Sequence, residues 1–379
     1  MNSGIYIHIP FCEKKCGYCD FYSVTELDFK QEFLDCLEKE ITLYAKEFSN
    51  EKIFDTIYFG GGTPSLLLPG QIYNILNLLT KYFKIDSNSE ITLEVNPGTI
   101  SQQNLLEFKN DGVNRLSIGV QSFYDAELQF LGRIHNADQS IKAIQYAKEA
   151  EYKNISIDLI YAMPNQKIKN WELSLNKTIE LNPEHIAAYN LTIEKNTPFY
   201  DLKKNGKIKS LSESQEKEFF NITHSTLANS GYIHYEVSNF ARGEEFISKH
   251  NYKYWQHIHY IGFGPSAHSF WNNQRWSNYS ALNKYISFCK QNKKPIDFTE
   301  SLKSKDLEFE YIFLSLRTYK GLNLKKFREK FHFGFADKYK SIFSKLIKEK
   351  YAEINTNYFK LTNKGMMICD EILPLFIKN

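Results

Sequence analysis

Residues 4–21 read GIYIHIPFCEKKCGYCDF. The run from Gly4 to Ile9 is rich in β-branched and aromatic residues and stops at Pro10, which is how a strand ends. Cys12, Cys16 and Cys19 follow at once, spaced C-x3-C-x2-C. Half of the six cysteines of this 379-residue chain therefore sit on one short loop after one strand.

Five more runs have the character of the first. They are DTIYFGGG from Asp55, EITLEVNP from Glu90, VNRLSIGVQ from Val113, NISIDLIYAMP from Asn154 and HIAAYNLTI from His185. Between them lie segments with apolar residues at helical spacing, such as FKQEFLDCLEKEITLYAKEF and PGQIYNILNLLTKYF. Strands alternating with helices imply βαβ units and a parallel sheet. Six such units in residues 1–230 amount to about three quarters of an eight-fold barrel. The predicted fold is thus α/β, a partial (β/α)6 TIM barrel. A doubly wound open sheet shares the same pattern.

Beyond Gly231 the rhythm changes. Residues 231–303 are aromatic-rich and read as an irregular linking region. Residues 304–379 read as short helices, a ribbon at YAEINTNYFKLT and a last helix, a smaller α+β domain resembling a winged helix. No concentrated basic helix accompanies it, so a packing or lid role is expected rather than nucleic-acid binding. The net charge of +3 agrees with that. No apolar run reaches membrane-spanning length, and MNSGIYIHIPFC shows no secretory signal, so a cytoplasmic protein is expected.

In a reducing compartment clustered cysteines are metal ligands or redox groups more often than disulfides. Cys36, Cys289 and Cys369 lie far away inside apparent helices and read as buried small hydrophobes. Three thiolates on one loop suit a cubane iron–sulfur cluster with one iron left open to a ligand. Zinc or a disulfide is the alternative, with no nearby fourth ligand evident.

CEKKCGYC resembles the signature of the radical S-adenosylmethionine (SAM) superfamily. That resemblance implies a [4Fe–4S] cluster on Cys12, Cys16 and Cys19, with SAM on the open iron. It also implies one-electron cleavage of a carbon–sulfur bond of SAM, fed by a donor such as flavodoxin or ferredoxin. Active sites of parallel barrels lie at the carboxyl ends of the strands. The second strand ends FGGGTP, whose glycines admit a ligand close to the backbone. Alone this is a tight turn; beside the cysteine loop, Gly61, Gly62 and Thr63 resemble the segment that binds the methionine amino group. The third strand ends with Glu94, which pattern alone allows as a solvated or ion-paired charge. The fourth ends with Gln121, and Arg133 follows in LGRIHN, with a guanidinium able to fork onto a carboxylate. Asp158 is an acid within an apolar strand, costly unless bonded, and ribose hydroxyls would suit it. With Tyr6 and Tyr18, these positions resemble the SAM-contacting set of the branch containing oxygen-independent coproporphyrinogen III oxidase. GVQSF, IDLIYAMP and GFGPSAHSF also have counterparts there.

Within that branch, C-x3-C-x2-C-x-F resembles the HemW heme chaperones, where the oxidases place a further cysteine at the position of Phe21. Only eleven residues precede Cys12, against a long leading segment in the oxidases. HNYKYW, from His250 to Trp255, matches the H-N-x-x-Y-W stretch of the HemW branch, which implies heme as a third cofactor, bound at this stretch with His250 among the candidate ligands of its iron. Imidazole is a good axial ligand, and Tyr254 and Trp255 could flank a porphyrin. A histidine among aromatics is also a common packing residue, and His257, His259 and His268 lie nearby. His8, in the first strand, reads as structural. The expected function is a heme chaperone that passes heme to an acceptor protein, such as a respiratory enzyme. The alternatives are oxidative decarboxylation of coproporphyrinogen III and a SAM-dependent methyltransferase.

Overall fold

The computed structural model describes residues 2–48 and 52–377. Six parallel strands form its centre: β1 (Ser3–Ile9), β2 (Ile53–Gly61), β3 (Lys84–Val95), β4 (Arg115–Gln121), β5 (Ile155–Tyr161) and β6 (His185–Asn190). They pair in chain order, each parallel to the next. This is the predicted run of βα units. β3 begins earlier than its apolar run, and β6 ends at Asn190, before the Leu191–Ile193 run included in the prediction.

The helices between them follow from the sequence. In α1 (Lys30–Phe48), Phe33, Leu37, Ile41, Tyr44 and Phe48 recur along one face and all are buried. Helix α2 (Pro69–Tyr82) starts on a proline, whose missing amide costs nothing there. Then come α3 (Gln102–Asn110), α4 (Asp125–Leu131) and α5 (Ala137–Glu149). Asn136 caps α5, accepting from the Gln139 amide while the Gln139 side chain returns the bond. Further on lie α6 (Ile168–Leu181), α7 (Pro198–Lys204), α8 (Glu213–Asn229), α9 (Lys249–Trp255), α10 (Leu282–Lys290) and α11 (Ser304–Leu316).

Strand alternation divides the two faces of the sheet. In β4, Leu116, Ile118 and Val120 are fully buried against the helices, while Arg115, Ser117, Gly119 and Gln121 line the interior cavity. One side of each strand thus builds a single large apolar core with the helices. The other side builds a polar interior.

The aromatic stretch after Gly231 is not irregular. It supplies β7 (Ile233–Glu236), β8 (Asn239–Ala241), β9 (Tyr260–Phe263), β10 (His268–Trp271), β11 (Gln274–Asn278) and β12 (Ile296–Ser301). All join the central sheet, in the order β12-β11-β10-β9-β1-β2-β3-β4-β5-β6-β8-β7. These strands are three to six residues long and broken by Gly, Pro and Asn, too short for their apolar pattern to show in the sequence. The last part of the chain has its own core, with Ile312, Phe327, Phe335 and Phe359 at its centre. A small antiparallel sheet of Leu322–Asn323, Ala352–Asn355 and Tyr358–Leu361 lies against its helices.

Candidate functional site

The cysteine loop is fastened at several points. Phe11 is fully buried and meets Phe33 edge to face at 5.4 Å. The Cys12 amide donates to Val24 O at 2.9 Å, and the Val24 amide to Pro10 O at 2.7 Å. Gly17 donates to Leu131 O at 3.3 Å and accepts from the Phe199 amide at 3.0 Å. A Cβ on Gly17 would lie 2.6 Å from the Phe199 ring, so the loop needs glycine there. All three thiols are free and partly exposed. Cys12 Sγ accepts from the Thr63 hydroxyl at 3.5 Å, and Cys16 Sγ faces Arg133 Nη1 at 3.8 Å. Burial pushes the Cys19 thiol up to about 11. Among the described residues no three His, Cys, Asp or Glu side chains are already gathered as a metal site. The donor chemistry nonetheless fits an iron–sulfur cluster: three unpaired thiols on one anchored loop beside a cavity.

The Gly-Gly-Gly-Thr turn is tied to that loop. Gly62 donates to Ile9 O at 2.8 Å and Thr63 to Phe11 O at 2.7 Å. Those amides are spent, so the oxygens of the segment are what a ligand's ammonium can meet. A Cβ on Gly62 would lie 2.6 Å from Phe11 O. Gly61 has φ +109°, and its Cβ would strike the His8 ring at 2.7 Å. His8 Nε2 donates to Tyr22 O at 2.9 Å, which leaves its Nδ1 to accept from the Tyr6 hydroxyl at 3.2 Å. Burial lowers it to about 4, so it is neutral and holds the far end of the loop.

Below the loop the barrel interior holds a cavity of about 560 Å³. Of the sequence-predicted residues, Tyr18, Cys19, Gly61, Gly62, Thr63, Glu94, Gln121, Arg133 and Asp158 line it. Gln121 ends β4 at φ 67°, after a register shift that turns it inward. Arg133 donates through Nη2 to Gly119 O at 2.9 Å, while its Nε is buried without a partner. Glu94 Oε1 accepts from the Tyr58 hydroxyl at 2.7 Å, and burial raises the carboxyl to about 7. Asp158 accepts from Ser117 at 2.9 and 3.0 Å and from Ser156 at 3.1 Å, and burial raises it too. Both acids are thus desolvated but ready to accept hydrogen bonds.

Phe21 also lines the cavity and is 68% exposed. Tyr6 and His250 do not line it; they lie beneath. His250 is 1% exposed, its Nδ1 2.9 Å from Thr56 Oγ1 and its Nε2 2.9 Å from the Tyr254 hydroxyl. Its ring stacks on Tyr58 at 5.1 Å, and burial lowers it to about 3. Ligation of heme iron by His250 would break one of these bonds and open the barrel floor. Tyr254 stands edge-on to His250 and to Tyr260 rather than presenting a free face. His257 pairs with Glu310 at 3.1 Å, and His259 lies 2.5 Å from Lys52 Nζ. His268 is exposed. Sequence reasoning missed Tyr58, Arg115, Ser117, Ser156, His185 and Asn239, all on the cavity wall. For Ser117 and Ser156 the signal was present in β4 and β5, as polar residues at every second position.

The radical SAM superfamily model matches residues 6–177, and the HemN C-terminal domain model matches residues 302–368. The chain is 34% identical to the heme chaperone HemW of Bacillus subtilis, covering 98% of both chains. It is 33% identical to HemW of Lactococcus lactis, over 99% of this chain and 97% of that one. The chain belongs to the HemW family of radical SAM proteins. Its structure also matches coproporphyrinogen III oxidase HemN from Escherichia coli, with a TM-score of 0.86 and 26% identity, covering 99% of this chain and 90% of that one. Radical SAM membership carries a [4Fe–4S] cluster and SAM with it. No described helix of this HemW-family chain is long and apolar enough to cross a membrane.

Proposed function

We propose that this chain is a heme chaperone, holding a [4Fe–4S] cluster, SAM and heme and passing heme to an acceptor protein. The observation that carries the reading is the near full-length likeness to HemW chaperones. Phe21, standing at the cavity wall where the related oxidases place cysteine, supports it. The cytoplasm, a respiratory acceptor and a flavodoxin or ferredoxin donor belong to the same reading.

In this reading Cys12, Cys16 and Cys19 hold the cluster. Together with SAM it would supply one-electron chemistry at the sulfonium. The oxygens of the Gly61–Thr63 turn and Glu94 take the methionine ammonium. Arg133, beside Cys16, takes its carboxylate. Asp158 accepts from the ribose hydroxyls, and Gln121 and Tyr18 close the walls. Tyr6 and Tyr58 set the floor, and His250 fixes Tyr58. For the heme iron we assign the exposed His268 ahead of His250. His268 opens β10, which turns back antiparallel from the carboxyl end of β9, the strand parallel to β1, and so stands at the cysteine-loop end of the barrel.

The test is a heme titration of the reconstituted protein by absorbance. Stoichiometric uptake with a Soret shift is the expected result; a protein that never takes up heme ends the reading. The likeness to HemN favours a second reading, coproporphyrinogen III decarboxylation. It predicts protoporphyrinogen from the protein with SAM and a reductant.

A further inference from the structure

Arg115 opens β4, at the end of the barrel away from the cysteine loop. About 20 Å of strand separates it from Gln121. It lines the cavity yet is only 1% exposed, and its Nε and Nη1 have no hydrogen-bond partner. A buried guanidinium with idle donors is among the costliest groups a protein can keep. Of the cavity's acids, Glu94 and Asp158 are near enough to balance its charge, but their hydrogen bonds go to Tyr58 and to Ser117 and Ser156, not to Arg115. Thr92 stands beside Arg115 in the β3–β4 register, fully buried, and its hydroxyl also lacks a partner. Thr92 itself does not line the cavity; the idle donors that face it are those of Arg115. They match one kind of guest: a carboxylate, which accepts on both oxygens and carries the opposite charge.

We propose that Arg115 is a carboxylate receptor at the barrel floor for a second ligand that shares the cavity with SAM. Arg133 stands next to the cluster thiols and serves the carboxylate of SAM itself. Arg115 is too deep to share that duty. The proposal rests on the chaperone reading in one respect: there the acid is a propionate arm of heme.

The experiment titrates hemin and hemin dimethyl ester into the reconstituted full-length protein, in wild type, R115Q and R115K. In wild type, esterification should weaken binding by about tenfold or more, the worth of a hydrogen bond to a charged group. R115Q should bind acid and ester alike, R115K should fall between, and SAM affinity should not change. Equal binding of acid and ester by wild type, or a preference surviving in R115Q, overturns the proposal and leaves the chaperone reading intact. Loss of SAM binding alone in R115Q gives Arg115 to SAM and overturns it as well. If wild type takes up no hemin, the chaperone reading fails. Line broadening of carbon-13 propionate in the presence of SAM then decides: seen in wild type and lost in R115Q it upholds the receptor, and absent from wild type it refutes it. Melting of R115M separates binding from support. A receptor kept at a cost to the fold predicts a melting temperature no lower than wild type. A lowered one, with ester discrimination retained in R115Q, identifies a strut and rejects the receptor.

Discussion

The Tyr58 hydroxyl donates to Glu94 Oε1 at 2.7 Å, and the His250 ring stacks on the other side of Tyr58. This places the HNYKYW helix and the barrel cavity on two sides of one tyrosine. Burial holds the Glu94 carboxyl at about 7, so it gains its full charge only above neutrality. SAM affinity should therefore rise with pH through about 7, and E94Q should be weak and pH-independent. The linkage to folding has the opposite sign. A carboxyl raised from its ordinary value favours the fold at low pH and loses that contribution as pH rises through its folded value. Calorimetric titrations of SAM at several pH values check the binding; a flat wild-type profile refutes the role of Glu94.

Replacing Cys12, Cys16 or Cys19 with alanine should abolish the iron content of anaerobically reconstituted protein. G62A should lower it as well without touching a ligand, because the added Cβ would meet Phe11 O at 2.6 Å and push the turn off the loop. Iron and sulfide analysis reads both; full iron in a cysteine variant contradicts the cluster assignment.

His250 and His268 should behave as opposites. H250A removes a buried ring with two hydrogen bonds and should cost about 2–4 kcal/mol of stability. It should leave the Soret shift on heme binding in place wherever the fold survives. H268A, at an exposed position, should leave melting unchanged and alter the heme spectrum. The reverse pattern would return the axial ligand to His250.

Phe21 is 68% exposed, so F21C should shift stability by about 0.5 kcal/mol or less. It restores the C-x3-C-x2-C-x-C spacing without rebuilding a substrate pocket, and no porphyrinogen decarboxylation should appear. Product analysis with SAM and a reductant checks this; turnover by F21C would make that one position the switch between the two branches.

The six central strands were legible because each is a β-branched run cut off by Gly, Pro or a polar residue. Glu94, Gln121 and Asp158 were legible as polar groups at the ends of apolar strands. Arg115 and His185 were not, since they begin their strands and read as entry residues. Tyr58 passed as an ordinary strand former. The edge strands from Ile233 to Ser301 escaped because a three- to six-residue strand carries too little periodicity. His250 shows the limit of motif reading: the helix that carries it is where the sequence implies, but its ring is turned into the barrel floor.

The C-terminal part is stitched to the barrel by its main chain. Val237 donates to Arg317 O at 3.1 Å, Tyr319 donates to Tyr235 O at 3.1 Å, and Glu236 forms a bridge with Thr318. The Tyr235 hydroxyl in turn lies 2.7 Å from His185 Nε2 on the cavity wall. A hinge between the two parts would have to unzip backbone bonds first. A displacement of the C-terminal part is thereby passed, through a single tyrosine, to the inner lining of the barrel.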